Sequence, residues 1–341
     1  MYFVVLLMIG LTSCSLSSIP VDVMRPADIF IPQEIKSLAI ANRSLPAEGK
    51  KGRNIVEGLF SGEGIGTDKK ASEDCVEGLV NMMQSSPRYT AVSANAEELR
   101  GTGTEQWPIP MSWERISNIC ERYGTDALVT LETFDSDSRT YIGDKIRKSK
   151  KVDGNTVYYY VYPATLDMEV TAGWRIYHPE SQSIIDQSRF TDVKSFNSTA
   201  STPSSAESGL PSKRKAVRES GLYAGAQYGF RISPMWTKVT RTYYVKGHEN
   251  LELAKPSVKI RDWEKAAEYY QALIEDEDYK IRSRACYNMA FINEMMGFLD
   301  VAIEWVKQAN DYGLSQATIY YNTLIKRQKD EQKLKKQLSD E

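Results

Sequence analysis

In Leu166-Asp167-Met168-Glu169-Val170-Thr171-Ala172-Gly173-Trp174-Arg175-Ile176-Tyr177, apolar side chains alternate with polar ones. Because successive side chains of a strand point to opposite faces, this pattern predicts a β-strand with one face buried. A tyrosine-rich strand over residues 156–162 precedes it, with Pro163-Ala164 as the break between the two. A turn at His178-Pro179-Glu180-Ser181 then leads into a strand over residues 183–193. Half-buried strands in this order are typical of an antiparallel sheet.

Helical and strand patterns alternate on both sides of these strands. Upstream, we predict strands over residues 37–42, 89–94 and 126–134, and helices over residues 71–84 and 112–123. Downstream, a helix over residues 213–232 and a strand over residues 238–245 close the domain. Residues 195–212 are rich in Ser, Thr, Ala and Pro, which predicts a mobile loop. The fold class is therefore α+β, with helices packed on a mixed sheet over residues 35–246.

The last third of the chain carries one helical pattern twice. The copies are Trp263-Glu264-Lys265-Ala266-Ala267-Glu268-Tyr269-Tyr270 and Leu299-Asp300-Val301-Ala302-Ile303-Glu304-Trp305-Val306, thirty-six residues apart. This spacing resembles the tetratricopeptide repeat family, which implies an all-α repeat region over residues 250–326. Cys286 stands where that family usually has tryptophan, and Pro256 shortens or breaks the first leading helix. We expect residues 327–341 to form a charged tail.

The amino terminus carries a pattern typical of lipoprotein export. An apolar run ends in Leu11-Thr12-Ser13-Cys14, which reads as a lipobox: residues 1–13 form the signal peptide and Cys14 takes the lipid. Residues 14–34, with three prolines, are expected to form a tether. The alternative is a buried strand over residues 1–11 with Cys14 an ordinary thiol. Surface-exported lipoproteins usually carry acidic residues after the lipidated cysteine, and because Ser15-Leu16-Ser17-Ser18 does not resemble that pattern, we expect the periplasmic face of the outer membrane.

Charge and cysteine content narrow the possible partners. The chain has 43 basic and 45 acidic residues, a net charge of -2, so no overall field attracts nucleic acid. Besides Cys14, the cysteines are Cys75, Cys120 and Cys286, each on the apolar side of a predicted helix. We expect buried free thiols. A disulfide between Cys75 and Cys120 remains the alternative.

One glycine-rich loop is the sharpest candidate for ligand chemistry. Residues 61–68 lie between the first strand and the first helix, where nucleotide folds bind phosphate. The candidate loop residues are Gly62, Glu63, Gly64, Gly66 and Asp68. Their spacing matches neither a Walker A loop nor a dinucleotide fingerprint. We expect a turned or flexible loop without ligand, and a ligand-binding or partner-contact loop is the alternative.

Other chemically active residues have simpler interpretations. Only two histidines occur, neither in a metal-binding spacing, and His178 is expected to be a turn residue. No cofactor and no metal site is predicted. We expect the acidic residues Glu132, Asp135 and Asp137 to lie at a solvated strand end. We expect the basic run 145–151 to solubilise a hairpin tip. A further cluster consists of Tyr158, Tyr159, Tyr160 and Tyr162, and β-propensity explains it as well as a sugar-stacking role does.

Several motifs together resemble an uncharacterised family of Bacteroidota lipoproteins that carries no assigned activity. They include Arg25-Pro26-Ala27-Asp28-Ile29-Phe30-Ile31-Pro32, Asn42-Arg43-Ser44-Leu45-Pro46 and Gly173-Trp174-Arg175-Ile176-Tyr177. More distantly, the α/β half is similar in order of elements to the curli secretion lipoprotein, to lipoprotein activators of penicillin-binding proteins and to the amino-terminal part of TolB. The resemblance implies location and architecture, and fold alone does not dictate function.

The leading hypothesis is a non-enzymatic envelope lipoprotein that is anchored through Cys14 and binds an unidentified envelope protein. Two alternatives stay open. The first is an oligomeric lipoprotein of the secretion-channel type, although the hairpin near Asp153 carries basic residues on both faces. The second is a nucleotide- or metal-binding enzyme that uses the Gly62 to Asp68 loop. The oligomeric state is not predicted.

Overall fold

The structure, a computed structural model, describes residues 15–46 and 65–339. Its strands and helices follow the predicted order of a sheet with helices and then helices alone. The strands are β1 (Leu16–Arg25), β2 (Ser37–Asn42), β3 (Thr90–Ser93), β4 (Ala127–Ile142), β5 (Ile146–Val152), β6 (Asn155–His178), β7 (Ser183–Ala200) and β8 (Met235–Tyr244). The helices are α1 (Ile65–Met83), α2 (Trp113–Tyr123), α3 (Pro203–Ser208), α4 (Lys213–Ile232), α5 (Glu249–Lys259), α6 (Trp263–Gln271), α7 (Tyr279–Met295), α8 (Leu299–Asp311) and α9 (Ser315–Leu338).

The described residues form two compact units whose limits differ from the predicted domains. The α/β unit is Ala27–Met235, and the helical unit combines residues 15–26 with Trp236–Ser339. The predicted division placed residues 238–245 in the α/β domain and residues 14–34 in a tether. Instead, β1 and β8 pair with each other in a two-stranded sheet and belong to the helical unit. Pro20 fits in β1 because a strand of a two-stranded sheet has one unpaired edge, where a missing N–H costs no ladder bond.

The sheet of the α/β unit is mixed, as predicted. Its order is β3-β2-β4-β6-β5, with β7 also paired to β6. Strand β2 runs parallel to β3 and β4, with Leu38 opposite both Ala91 and Ala127. Strand β6 runs antiparallel to β4 and β7, so residues 166–177 lie between two partner strands. Buried and less buried side chains alternate along it as far as Ala172, and residues 172–178 are buried whichever face they lie on.

Two local predictions about this sheet are wrong. Pro163 does not break the strand, because β6 continues through it where its partner changes from β4 to β5. A proline is tolerated at such an irregularity since no ladder bond is required of its nitrogen. The segment 195–212 is not a loop: β7 extends to Ala200, and α3 follows. Its polar residues pair across strands, as Asn197 does with Thr165 at 2.9 Å, or cap the helix, as Thr202 does.

Helices pack on both faces of this sheet around β2. Leu38 and Ile40 of β2 pack with α1 and α4 on one face, and Ala39 and Ala41 pack with α2 on the other. The helices α1 and α4 approach so closely that a β-carbon added at Gly225 would overlap the carbonyl oxygen of Cys75. Glycine is required here by space and not by backbone conformation.

In the helical unit, β8 is bound to α7 by side chains as well as by packing. The Asn288 side chain accepts a hydrogen bond from the Tyr244 N–H at 2.7 Å and donates one to the Tyr244 carbonyl at 2.8 Å. Arg241 of β8 pairs with Glu294 of α7. These contacts explain why β8 belongs with the helices. Within the described residues, no helix combines the length and apolar character needed to cross a membrane.

Candidate functional site

The predicted site residues fall into two groups. Cys14, Gly62, Glu63 and Gly64 lie outside the described residues. Gly66 and Asp68 belong to the first turn of α1, which begins at Ile65, so the loop prediction is wrong for these two positions. The segment that precedes α1 leads from the carboxyl end of β2, as its position in the chain predicts.

The carboxyl end of β2 is tied to neighbouring elements by one asparagine. The Asn42 amide donates to Ser72 Oγ of α1 at 2.8 Å, and its Oδ1 accepts from Ser44 N–H at 2.9 Å and Ser44 Oγ at 2.7 Å. The Asn42 N–H donates to Asn95 Oδ1 at 2.9 Å. Since Asn42 is buried and each of its polar groups has a partner, it serves to position the chain at this edge.

The predicted acidic strand end is wrong because β4 continues through Asp135 and Asp137 to Ile142. Glu132 is fully buried instead. Its carboxylate pairs with Arg43 at 3.0 Å and accepts hydrogen bonds from the Tyr177 and Thr130 hydroxyls, both at 2.8 Å. Burial, reinforced by Glu132, raises the pKa of Tyr177 to about 12. Among the described residues, no set of three His, Cys, Asp or Glu side chains could hold a metal ion.

The two arginines around Glu132 hold an irregular segment in place. Arg43 Nη2 donates to the Ile109 carbonyl at 2.9 Å, and Arg175 Nη1 donates to the Pro108 carbonyl at 2.7 Å. The Arg175 guanidinium also lies 4.9 Å from the Trp107 ring centroid. Both arginines pair with the single carboxylate of Glu132, Arg175 at 3.7 Å, so this buried structural network keeps one net positive charge.

A surface cleft of about 360 Å³ lies at the opposite edge of the sheet, where β2 and β4 begin and β6 ends. Its walls include Cys120, Asp126 and His178. Although partial burial would raise the pKa of Asp126, hydrogen bonds from Ser37 and from the backbone of Lys36 lower it. Burial raises the pKa of Cys120 to about 11, so this thiol stays protonated at neutral pH. Cys120 is therefore not an activated nucleophile.

All three described cysteines are free and buried, as expected. Burial raises the pKa of Cys286 to about 11 and that of Cys75 further still. The structure therefore holds Cys75 and Cys120 as thiols and not as the alternative disulfide.

The turns of the helical repeat expose apolar side chains that sequence reasoning missed. The helices α6 and α8 begin at Trp263 and Leu299, the first residues of the two predicted copies. In the turn before each helix, Ile260 is 76% exposed and Met296 and Phe298 are 38% and 53% exposed. Ile260 and Met296 occupy the same position of the two copies. Comparing the copies in register would have found this pair.

The backbone of the two turns also agrees. Arg261 has φ +62° and Gly297, thirty-six residues later, has φ +85°. Both residues are therefore left-handed, a conformation that ends a helix and that glycine adopts without strain. The second copy has glycine at this position and the first has arginine. We call Ile260, Met296 and Phe298 the turn edge.

Two family models match the chain. The model of the domain of unknown function DUF8603 matches residues 35–244, and the model of the domain of unknown function DUF6340 matches residues 252–336. No curated protein matches this sequence. The boundary between the two matched regions follows β8, whereas the structural units divide before it.

Solved structures with similarity to this chain are distant. A PelC dodecamer from Paraburkholderia phytofirmans is 9% identical, with 62% of this chain and 98% of that chain covered, at a TM-score of 0.21. A putative neuraminyllactose-binding hemagglutinin homolog from Helicobacter pylori is 9% identical, with 59% and 83% covered, at a TM-score of 0.22. At these TM-scores the similarity supports no conclusion about the fold or the function of this chain.

Proposed function

The chain belongs to the family of the domain of unknown function DUF8603, and we propose that it is a non-enzymatic envelope lipoprotein that binds another envelope protein. The lipid anchor is Cys14, and the location is the periplasmic face of the outer membrane. The helical unit is a tetratricopeptide-like module, and its turn edge contacts the partner. Support for the anchor comes from Leu11-Thr12-Ser13-Cys14.

The observation that carries the binding role is the exposure of large apolar side chains at equivalent turns. In stacked helical repeats, equivalent turns lie along one edge of the array, so exposed residues at those turns form a shared surface. Ile260 and Phe298 are each more than half exposed. Burying such a side chain contributes roughly 1.5–3 kcal/mol before the costs of association. Large exposed apolar side chains that share one edge mark interaction sites more often than isolated ones do.

Site-specific crosslinking in intact cells tests the binding role. A photoreactive amino acid replaces Ile260 or Phe298, and the matched control replaces Ile109, which is 84% exposed in the α/β unit. We expect one discrete crosslinked species from both turn positions and none from position 109. Crosslinks of equal yield from all three positions, or none from the turn edge, would contradict the proposal.

Labelling with a palmitate analogue tests the anchor. The Cys14→Ser variant is expected to lose both the label and its sedimentation with membranes, whereas Cys120→Ala keeps both. Protease added to whole cells then tests the orientation: the chain is expected to survive until the outer membrane is opened. Label retained by Cys14→Ser would exclude the proposed anchor.

A further inference from the structure

The strand β5 and the start of β6 form a hairpin arm that is exposed on both faces. We define the arm as residues 145–160. Every residue from 141 to 160 is exposed, and the first buried side chain of β6 is Val161. The turn at Asp153 and Gly154, with φ +50° and +79°, closes the hairpin. Consecutive left-handed residues are typical of a tight hairpin turn whose twist matches the strands. The arm is thus an ordered ribbon without a packing layer.

The arm is strongly cationic. Its basic residues are Lys145, Arg147, Lys148, Lys150 and Lys151, and its one acidic residue is Asp153 at the tip. Within the part of the chain that the structure describes, none of these five side chains takes part in an ion pair. The whole chain has a net charge of -2, so the positive potential is local to the arm. An anionic partner would therefore find its complementary charge here.

The strand register separates two faces of unequal composition. On one face, Arg147 lies opposite Tyr160, Ser149 opposite Tyr158 and Lys151 opposite Thr156. The Arg147 guanidinium lies 3.7 Å from the Tyr158 ring centroid, and Lys145 Nζ lies 5.3 Å from that of Tyr160. We call this the tyrosine face.

The other face has one tyrosine and more aliphatic groups. Lys148 lies opposite Tyr159, and Lys150 lies opposite Val157. Tyr158 and Tyr160 are 57% and 53% exposed, against 39% for Tyr159. Both faces of the arm carry cations, but only the tyrosine face also carries two widely exposed aromatic rings. The opposite face can therefore serve as a matched control for the tyrosine face.

We infer that the tyrosine face of the hairpin arm binds an acidic polysaccharide. A pyranose ring offers a flat C–H face that packs on an aromatic ring, and phenolic hydroxyls can bond to sugar hydroxyls. A uronate carboxylate at the ring edge forms charge-assisted hydrogen bonds with Arg147 or a neighbouring lysine. Since residues two apart on a strand are about 6.8 Å apart, Tyr158 and Tyr160 can contact successive parts of one polymer.

The arm fits other anionic partners less well. A membrane-bound ribbon needs one apolar face to bury among the lipids, and both faces of this arm carry cations. Nucleic-acid binding is usually accompanied by an overall positive field, which this chain, with a net charge of -2, lacks. The inference concerns the α/β unit and does not depend on Cys14 or on the turn edge.

Binding of the full chain to polygalacturonate tests the inference. Dextran serves as the neutral polymer, and single-stranded DNA and phosphatidylglycerol vesicles serve as the competing anions. We expect titration to show salt-dependent binding of polygalacturonate and no binding of dextran. Tighter binding of DNA or vesicles than of polygalacturonate, or no binding of polygalacturonate, would overturn the inference.

Paired variants locate the site. We expect Tyr158→Ala with Tyr160→Ala to weaken binding at least about tenfold, while Phe at both positions retains most of it. Charge is tested by two double variants with equal charge loss, Arg147→Gln with Lys151→Gln and Lys148→Gln with Lys150→Gln. The first pair is expected to weaken binding several-fold more than the second. Equal losses would show unspecific attraction by the cations and overturn the assignment to the tyrosine face.

Discussion

Arg241 and Glu294 form a two-point ion pair between β8 and α7, with Nε to Oε2 at 2.9 Å and Nη2 to Oε1 at 2.8 Å. The Glu294 side chain is fully buried and also accepts hydrogen bonds from Tyr320 and Arg327. The pair joins a strand to helices that are more than fifty residues away in the chain. It is therefore the natural place to test how the helical unit is held together.

The first prediction concerns the removal of this charge. Glu294→Gln leaves Arg241 and Arg327 without their anionic partner, so we expect the free energy of unfolding at pH 7 to fall by about 3 kcal/mol. Chemical denaturation followed by circular dichroism measures it. Glu304→Gln is the control, because Glu304 is 67% exposed in its pair with Lys307 and should change stability by less than about 0.5 kcal/mol.

The second prediction is a pH dependence. Burial alone would raise the pKa of Glu294, but Arg241, Tyr320 and Arg327 outweigh it and lower the pKa. Because the folded pKa lies below the unfolded one, the stabilisation is complete above the ordinary glutamate range and is lost as the pH falls through the folded pKa. Stability of the native chain should drop more between about pH 5 and 3 than that of Glu294→Gln. Parallel pH profiles for the two proteins would refute this.

The third prediction compares the two repeat turns. Arg261→Gly should stabilise the fold by about 0.5–1 kcal/mol, because a left-handed backbone costs arginine more than glycine. Gly297→Ala should destabilise it by about 1 kcal/mol, and since an added β-carbon there meets no atom within 4 Å, the effect isolates backbone strain. Thermal unfolding measures both changes. Shifts of the same sign in the two variants would argue against equivalent turns.

The fourth prediction concerns the crossing of α1 and α4. Gly225→Ala places a β-carbon against the Cys75 carbonyl, and backbone must move, so we expect a loss of about 2–3 kcal/mol. Gly229→Ala is the matched control on the same helix, where the added carbon meets the flexible side chains of Met82 and Met83. Its loss should be smaller by at least about 1 kcal/mol. The reverse order would mean that the helices can separate at Gly225.

The fifth prediction concerns thiol reactivity. Burial raises the pKa values of Cys75, Cys120 and Cys286, so the reactive thiolate is scarce and the sulfur atoms are shielded. A thiol reagent at pH 8 should label them slowly in the native protein and completely in denaturant. The Cys14→Ser variant leaves only these three thiols, and rapid labelling of its native form, or fewer than three thiols after denaturation without reductant, would contradict the buried, reduced state.

Sequence patterns predicted the bounds of strands and helices correctly where those bounds depend on neighbouring residues in the chain. Strand β2 matches its predicted bounds, and α4 begins at Lys213 and ends at Ile232 as expected. Two predictions based on proline were wrong, a tether at Pro20 and a strand break at Pro163. The free-energy cost of a proline in a strand depends on which strand lies beside it, and that is a property of the folded sheet. Polar composition gave one wrong prediction, since residues 195–200 form an edge strand whose partners lie 28 to 38 residues upstream.

The candidate sites depend on contacts that are distant in sequence. Glu132 looked solvated because its partner Arg43 lies 89 residues away. Part of the turn edge could be predicted from the sequence, because the thirty-six-residue spacing of the two copies aligns Ile260 with Met296. Their exposure, however, depends on where the neighbouring helices stop. The basic run and the tyrosines of the hairpin arm were visible, but only the strand register shows which of them share a face.

The pairing of β1 with β8 has a mechanical consequence. Strand β1 begins at Leu16, and the Val245 N–H donates to the Ser15 carbonyl at 2.9 Å. If Cys14 is lipidated as proposed, the chain between the lipidated residue and the first residue of β1 can span only about 7 Å. A pull on the anchor would then load the β1–β8 ribbon directly, and Asn288 would transmit the force into α7. If Cys14 carries the lipid as proposed, the amino-terminal strand would couple the helical unit directly to the bilayer.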